Sequence, residues 1–361
     1  MKILIVSPLL NRTGGVSNFY RMLSPHFSKN EISFFHICGN DFFLSKLYHR
    51  LFDPIRFFYF LCMHPEFQTI LLNPSLGINS FLRDGVLCYI ANRIMHRKVA
   101  VFWHGWSCPF EEKINRSKIL QFFFRRSYAN SFVMFTLCNA FLLALKKWKY
   151  AGNIILMTTC VEDELFYALN HPNQENNQKS DVYRYLFLSR LEPQKGVETV
   201  LNAYEKLRKK YGSKIEFVIA GNGSLLKTLS DQVTARKIDG VSLPGYVKGE
   251  EKIKLLREAN CFCFPSSYGE GMPCALLEAI GAGLTILTSP AGGIADFFIA
   301  PQMGTITADL SEDNFANLME ESFLSSSGTL SKNSFNQQYA QEKLLASKVS
   351  AKLLQHLKMS F

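Results

Sequence analysis

The sequence predicts an α/β protein of two domains, each a parallel sheet covered by helices. Three observations carry this expectation. The chain has 361 residues, and at roughly 150 residues per domain two domains are expected. Hydrophobic residues make up 47% of it and charged residues 19%, which suits a filled core and rules out a disordered chain. Short apolar runs alternate with stretches of helical spacing, and repeated β-then-α units of this length imply parallel strands buried on both faces.

Lys2 to Ser7 (KILIVS) reads as a first buried strand. Its single lysine and apolar run faintly imitate a signal peptide, but it lacks a convincing apolar region and an A-x-A site. The Gly14-Gly15-Val16 loop follows, and Ser17 to Phe27 has helical spacing. Thr69–Leu72 and Val99–Trp103 read as further strands. The polar, Asn- and Gln-rich run between Leu165 and Asp181 is the best linker. The expected domains are therefore 1–165 and 183–340, with a linker at 166–182. Beyond the linker, strands at Tyr185–Leu188, Glu216–Ala220, Val241–Leu243, Cys261–Phe264 and Thr285–Thr288 alternate with helices at Val197–Tyr211, Ser224–Lys237, Glu250–Asn260 and Pro273–Ala282. Phe335 to Lys358 reads as one amphipathic helix with a basic face.

Charge is unevenly spread. Residues 1–160 carry 19 Lys and Arg against 7 Asp and Glu, whereas 161–361 carry 21 against 23. The first stretch also holds 20 of the 31 phenylalanines. A basic half meets an anionic partner, and aromatic enrichment tilts that toward a membrane surface. Ser45–Phe60 and Lys113–Tyr128 concentrate the signal. The second has Lys113, Arg116, Lys118, Arg125 and Arg126 interleaved with Ile119, Leu120 and Phe122–Phe124. A core helix with a solvated basic face explains that segment equally well. No nucleic-acid-binding motif accompanies the charge, so nucleic acid is the weaker partner. Mean hydropathy is +0.01, and the lack of a run of about 18 uncharged apolar residues argues against a membrane span. The nine scattered cysteines, with no CxxC, suit a reducing cytosol and neither a disulfide framework nor a zinc site.

Open parallel sheets bind ligands at the carboxyl ends of their strands. There the second half places Arg190 and Lys195 just before a helix N-terminus, an arrangement suited to a diphosphate. Gly221-Asn222-Gly223 and Pro244-Gly245-Tyr246-Val247 also fall at strand ends, and either is explained as well by a tight turn. In Pro265–Ala279 (PSSYGEGMPCALLEA), Gly269 and Gly271 flank Glu270, and Pro273 suits the first helical position. Glu278 falls near the second turn of that helix in an apolar run. Such a carboxylate needs hydroxyl or cationic partners, and paired ribose hydroxyls would serve. Amides around Gly271 and Met272 suit an anion or a sugar.

The pattern E-x7-E, met by Glu270 and Glu278, resembles the retaining glycosyltransferases of family 4, also called group 1. SRLEPQKGVETVLNAYEKL, FVIAGNGSL, LPGYV and FCFPSSYGEGMPCALLEAIGAGLTILTSPAGGIADFF support it, in the family's order. The resemblance is strong from Tyr185 to Phe298; before that it rests on Gly14-Gly15-Val16 and His104-Gly105. It implies a GT-B fold: two Rossmann-like domains facing across a cleft, with the terminal helix, 341–361, crossing back to the first.

The resemblance also implies that Arg190 and Lys195 hold the donor diphosphate. Glu278 would bind the donor ribose, Glu270 would lie beside the donor sugar, and backbone at Tyr246 and Val247 would meet the base. Gly15 would let the first-domain loop approach the phosphates. His104 would sit near the reacting carbon, although a satisfied core histidine is as good a reading of that residue. Thr159-Cys160-Val161-Glu162 and Gly292-Gly293-Ile294-Ala295-Asp296 depart from the family's usual pattern.

The expected reaction moves a sugar from a nucleotide-diphosphate donor to an acceptor hydroxyl with retention, without a metal or other cofactor, since no Asp-x-Asp occurs. The expected acceptor is a glycan or lipid-linked glycan of bacterial surface polysaccharide such as lipopolysaccharide or capsule. The expected location is the cytoplasmic face of the inner membrane, against anionic lipid. A non-catalytic, membrane-bound subunit with the same fold is the rival reading.

Overall fold

The computed structural model describes residues 2–12, 14–37, 43–171, 182–267, 271–325 and 332–359, with 43–51 described by backbone alone. The chain divides into two compact units, Met1–Thr159 with Ala346–Phe361, and Cys160–Leu345.

In the first unit the strands are β1 (Lys2–Ser7), β2 (Ile32–His36), β3 (Phe67–Leu72), β5 (Lys98–Trp103), β7 (Val133–Thr136) and β8 (Asn153–Leu156), with a small side pair, β4 (Ser75–Leu76) and β6 (Gly105–Trp106). The six form one parallel sheet in the order β2-β1-β3-β5-β7-β8. Ile3–Val6 and Val99–Trp103 are buried without interruption, as strands covered on both faces require. Helices α1 (Gly15–Leu23), α2 (Phe43–Met63), α3 (Ile78–Tyr89), α4 (Cys108–Arg116), α5 (Lys118–Ser127) and α6 (Asn139–Lys147) supply the covering layers.

The second unit opens with α7 (Asp163–Asn170) and continues with β9 (Tyr183–Leu188), α8 (Val197–Tyr211), β10 (Ile215–Ala220), α9 (Leu226–Ala235), β11 (Val241–Gly245), α10 (Gly249–Glu258), β12 (Cys261–Phe264), α11 (Cys274–Gly281), β13 (Thr285–Thr288), α12 (Ile294–Phe297), β14 (Gly304–Ile306), α13 (Glu312–Ser325) and α14 (Ser334–Tyr339). Its parallel sheet runs β11-β10-β9-β12-β13-β14. Strand order reverses beside β9, and such a switch point opens a crevice at the strand ends.

Four sequence expectations are corrected here. The expected linker opens as helix: α7 runs to Asn170, with Leu165, Phe166 and Leu169 in the second unit's core. The rest of that expected linker, 172–181, lies outside the described residues. Phe335–Lys358 is not one helix. α14 continues as a π-turn over Ala340–Leu344, Leu345 is extended, and α15 (Ala346–Lys358) then begins in the first unit. The break falls where the chain passes between units, and Val161 pairs with Leu345 beside it, a tertiary constraint that helical periodicity cannot register.

Lys113–Tyr128 is likewise two helices, because Ser117 ends α4 in extended conformation and its Oγ accepts from Leu120 N at 3.3 Å to cap α5. Pro273 is the N-cap of α11, with ψ 116°, and the helix starts at Cys274.

Candidate functional site

Three loops at the carboxyl ends of β9, β10 and β12 are tied together backbone to backbone. Leu191, fully buried, donates its N–H to Asn222 O at 2.9 Å and accepts from Leu225 N at 3.0 Å. Ser224 Oγ donates to Glu192 Oε2 at 2.7 Å, and those Ser224 bonds hold the Glu192 carboxyl below its usual range. On the other side Gln194 O accepts from Ser267 N at 2.9 Å. This close approach explains two glycines. Gly196 has φ +76°, and a Cβ there would run into the Pro265 carbonyl oxygen; at Gly221 it would meet the Ser189 carbonyl oxygen.

Within this frame Pro193–Lys195 makes one 3₁₀ turn, Gly196 takes the left-handed conformation, and α8 begins at Val197. The turn sends Lys195 inward, where it is 4% exposed, while Arg190 stays at the surface. Lys195 Nζ lies 5.8 Å from the centre of the Phe264 ring. Burial, and then the neighbouring Arg190 charge, push the Lys195 ammonium down to about 8. Two cations so placed beside α8 raise one another's energy, and a bound anion relieves both.

Glu278 sits in the second turn of α11, and its side chain is 14% exposed. Its cation partner is Lys252 of α10, Nζ to Oε1 2.8 Å, a residue the sequence reading passed over among the charges of GEEKIK. Val247 is buried, whereas Tyr246 is 73% exposed just beyond Gly245 at the end of β11. Gly271 and Met272 are half-buried ahead of α11. Glu270 lies outside the described residues.

The other expected site residues belong to the first unit. Gly15 is the first residue of α1, and a Cβ there would meet open space. His104 follows β5. Its ring stacks on Phe102 at 4.0 Å between centroids and is edged by Phe19 at 5.0 Å. Burial pushes the imidazole down to about 3. Its Nε2 lies 3.0 Å from Asn73 Oδ1, which also accepts from Tyr20 Oη at 2.6 Å. Asn73 and Tyr20 carried no signal in the sequence reading.

Residues 171–340 match the family model of glycosyl transferases group 1. The loops that follow β9, β10 and β12 fall inside the matched residues. An uncharacterized glycosyltransferase of Methanocaldococcus jannaschii is 29% identical over 153 residues, 42% of this chain and 39% of that one. The amylovoran biosynthesis glycosyltransferase AmsK of Erwinia amylovora is 33% identical over 119 residues, 31% of this chain and 29% of that one. The aligned parts thus span well under half the length of these relatives.

Solved structures match the whole chain. HepE of Anabaena in complex with UDP superimposes with a TM-score of 0.75 at 14% identity, covering 99% of both chains. WaaG, a glycosyltransferase involved in lipopolysaccharide biosynthesis, does so at 0.67 and 14%, covering 99% of this chain and 100% of that one. The fold is GT-B.

Proposed function

We propose that the protein is a retaining glycosyltransferase that moves a sugar from a nucleotide-diphosphate donor to an acceptor hydroxyl. The observation that carries this reading is the buried Lys195 beside Arg190 at the start of α8, on loops whose glycines lock them together. Arg190, Lys195 and the α8 amides hold the diphosphate and stabilise it as it leaves, without a metal ion. Glu278 takes the ribose, the backbone at Tyr246 and Val247 meets the base, and Gly271 and Met272 line the sugar side. In the reaction the acceptor oxygen bonds to the anomeric carbon, the bond from that carbon to the phosphate oxygen breaks, and the acceptor proton passes to the departing phosphate on the same face. HepE, whose structures hold UDP and UDP-glucose, makes a nucleotide sugar the natural donor class.

The acceptor in this reading is lipid-linked glycan of a bacterial surface polysaccharide, met at the cytoplasmic face of an anionic membrane. Three adjacent helices of the first unit support it. α2 exposes Ile55, Tyr59 and Met63, α3 exposes Ile78, Leu82 and Tyr89, and α5 exposes Ile119 and Phe122. Arg126 lies over the Phe122 ring at 5.5 Å. Apolar stripes with cations among them suit anionic lipid. No helix among the described residues is long and apolar enough to cross a membrane.

The test is a thermal-shift and turnover screen of nucleotide sugars with the purified chain. A donor at 100 times its Kd raises stability by about 2.7 kcal/mol, and slow donor hydrolysis marks an enzyme. Donor binding without any turnover in the presence of lipid-linked glycan would leave a non-catalytic subunit of the same fold. No binding of any nucleotide sugar would remove the reading.

A further inference from the structure

Asn222 is exposed in the turn between β10 and α9, and it is the only asparagine of the chain that glycine follows. Its side chain folds back on the next residue: Gly223 N donates to Asn222 Oδ1 at 2.8 Å. Among the described residues neither Gly223 N nor Asn222 Nδ2 has another hydrogen bond. No ladder therefore holds the nitrogen, and the side-chain NH₂ group is left to solvent. The turn opens onto a groove of about 590 Å³ whose wall includes Ser224, Lys227 and Asp231, so water reaches it. Glycine is obligatory at 223, because a Cβ there would run into the Leu191 carbonyl oxygen. No side chain can then stand between that nitrogen and the Asn222 carboxamide.

We propose that Asn222 is a site of spontaneous self-modification, in which Gly223 N closes on Asn222 Cγ to a succinimide that water opens to aspartate or isoaspartate. When Gly223 N gives its proton to hydroxide, its electron pair faces the carboxamide. The N–Cγ bond forms, the Cγ–Nδ2 bond breaks, and Nδ2 takes a proton from water and leaves as ammonia. Water then adds to the imide. Opening at Cγ yields aspartate; opening at the main-chain carbonyl yields isoaspartate, whose chain runs through Cγ and is longer by a methylene group. Aspartate keeps the main-chain path, and with it the bond from Leu191 N to the residue 222 carbonyl, 2.9 Å in the parent. Isoaspartate lengthens the path between Gly221 and Gly223, which are pressed against the backbone of Ser189 and Leu191. The loop after β9 that carries Arg190 and Lys195 then loses its fit to the turn after β10.

The experiment holds the purified full chain, folded, in mildly alkaline buffer and follows it by peptide mapping with mass spectrometry. The Asn222 peptide should lose ammonia, gain water and split into aspartyl and isoaspartyl forms, ahead of the peptide of Asn79, which is also exposed and precedes Ser80. A purified isoaspartyl methyltransferase should label the second form alone. Asn222→Gln should leave its peptide unmodified. Conversion at Asn222 no faster than at Asn79 overturns the proposal, and the wild-type map decides this even if the variant fails to fold. For the consequence, isoaspartyl chain separated from aged stock by anion exchange should melt below the parent, whereas Asn222→Asp should melt with it. An isoaspartyl chain that melts like the parent overturns the loss of fit between the two loops. Neither readout involves sugar transfer, so failure of the proposed function would leave both to be judged on their own.

Discussion

Lys252 Nζ lies 2.8 Å from Glu278 Oε1, joining α10 to α11. Both side chains are largely shielded, at 24% and 14% exposure, so removing either leaves a poorly solvated charge. Any ribose held by Glu278 must share the carboxylate with this ammonium. Lys252 therefore belongs to the energetics of the donor site as well as to the packing of the unit.

The pair can be dissected. We predict that Glu278→Gln weakens nucleoside binding by about 1.5–3 kcal/mol, the loss of a charge-assisted hydrogen bond. Lys252→Met should lower thermal stability, because it leaves a shielded carboxylate without its cation. The double variant should regain stability without regaining affinity. Calorimetry with nucleoside and melting curves of the three variants read this out; independent, additive effects would dissolve the coupling.

The depressed Lys195 ammonium makes donor binding depend on pH. Burial and the Arg190 charge lower its pKa to about 8, so the free protein loses this charge in mildly alkaline solution. A bound diphosphate favours the charged form, so binding at pH 8 should take up protons, and affinity should fall as pH rises through that value. Arg190→Gln removes the repelling neighbour, which should move the decline to higher pH while lowering affinity. Titration calorimetry in buffers of different ionisation enthalpy measures the uptake, and identical heats in all buffers would contradict it.

At Gly196 the backbone is left-handed and the Pro265 carbonyl occupies the space of a Cβ. Gly196→Ala should cost about 1–3 kcal/mol from backbone strain alone and should loosen the Pro193–Lys195 turn from the β12 loop. Diphosphate affinity should fall with stability. A variant that melts like the parent and binds like it would show that the turn tolerates displacement.

Transfer should persist in excess EDTA, since Arg190, Lys195 and the helix amides are assigned the charge stabilisation that a metal otherwise supplies. Turnover that stops with EDTA and returns with magnesium or manganese would transfer that role to a bound ion.

For the first unit, we predict co-sedimentation with anionic vesicles and not with neutral ones. Arg125→Glu with Arg126→Glu should reduce it, at about 1 kcal/mol per cation lost near the surface, and Ile119→Glu should reduce it too. Ile119 is 80% exposed, so that change removes lipid contact without opening the core. Equal binding to both vesicle types would assign the cations of α5 to solvent alone.

The sequence by itself determined the alternation of strands and helices in the second unit, and hence its parallel sheet, because runs such as YLFL and FVIA are apolar without interruption. It also placed Arg190, Lys195 and the Tyr246–Val247 turn at strand ends, since these follow directly from where each strand stops, and Glu278 in the second turn of the helix after β12. Tertiary structure decided what local periodicity cannot encode. The terminal helix breaks at Leu345 because the chain changes units there. Lys195 turns inward because Gly196 permits a left-handed step against Pro265. Glu278 finds Lys252, and His104 finds Asn73 and Tyr20, across 26, 31 and 84 positions of sequence. Such partners are chosen by the register and packing of whole elements, and no single segment carries that information.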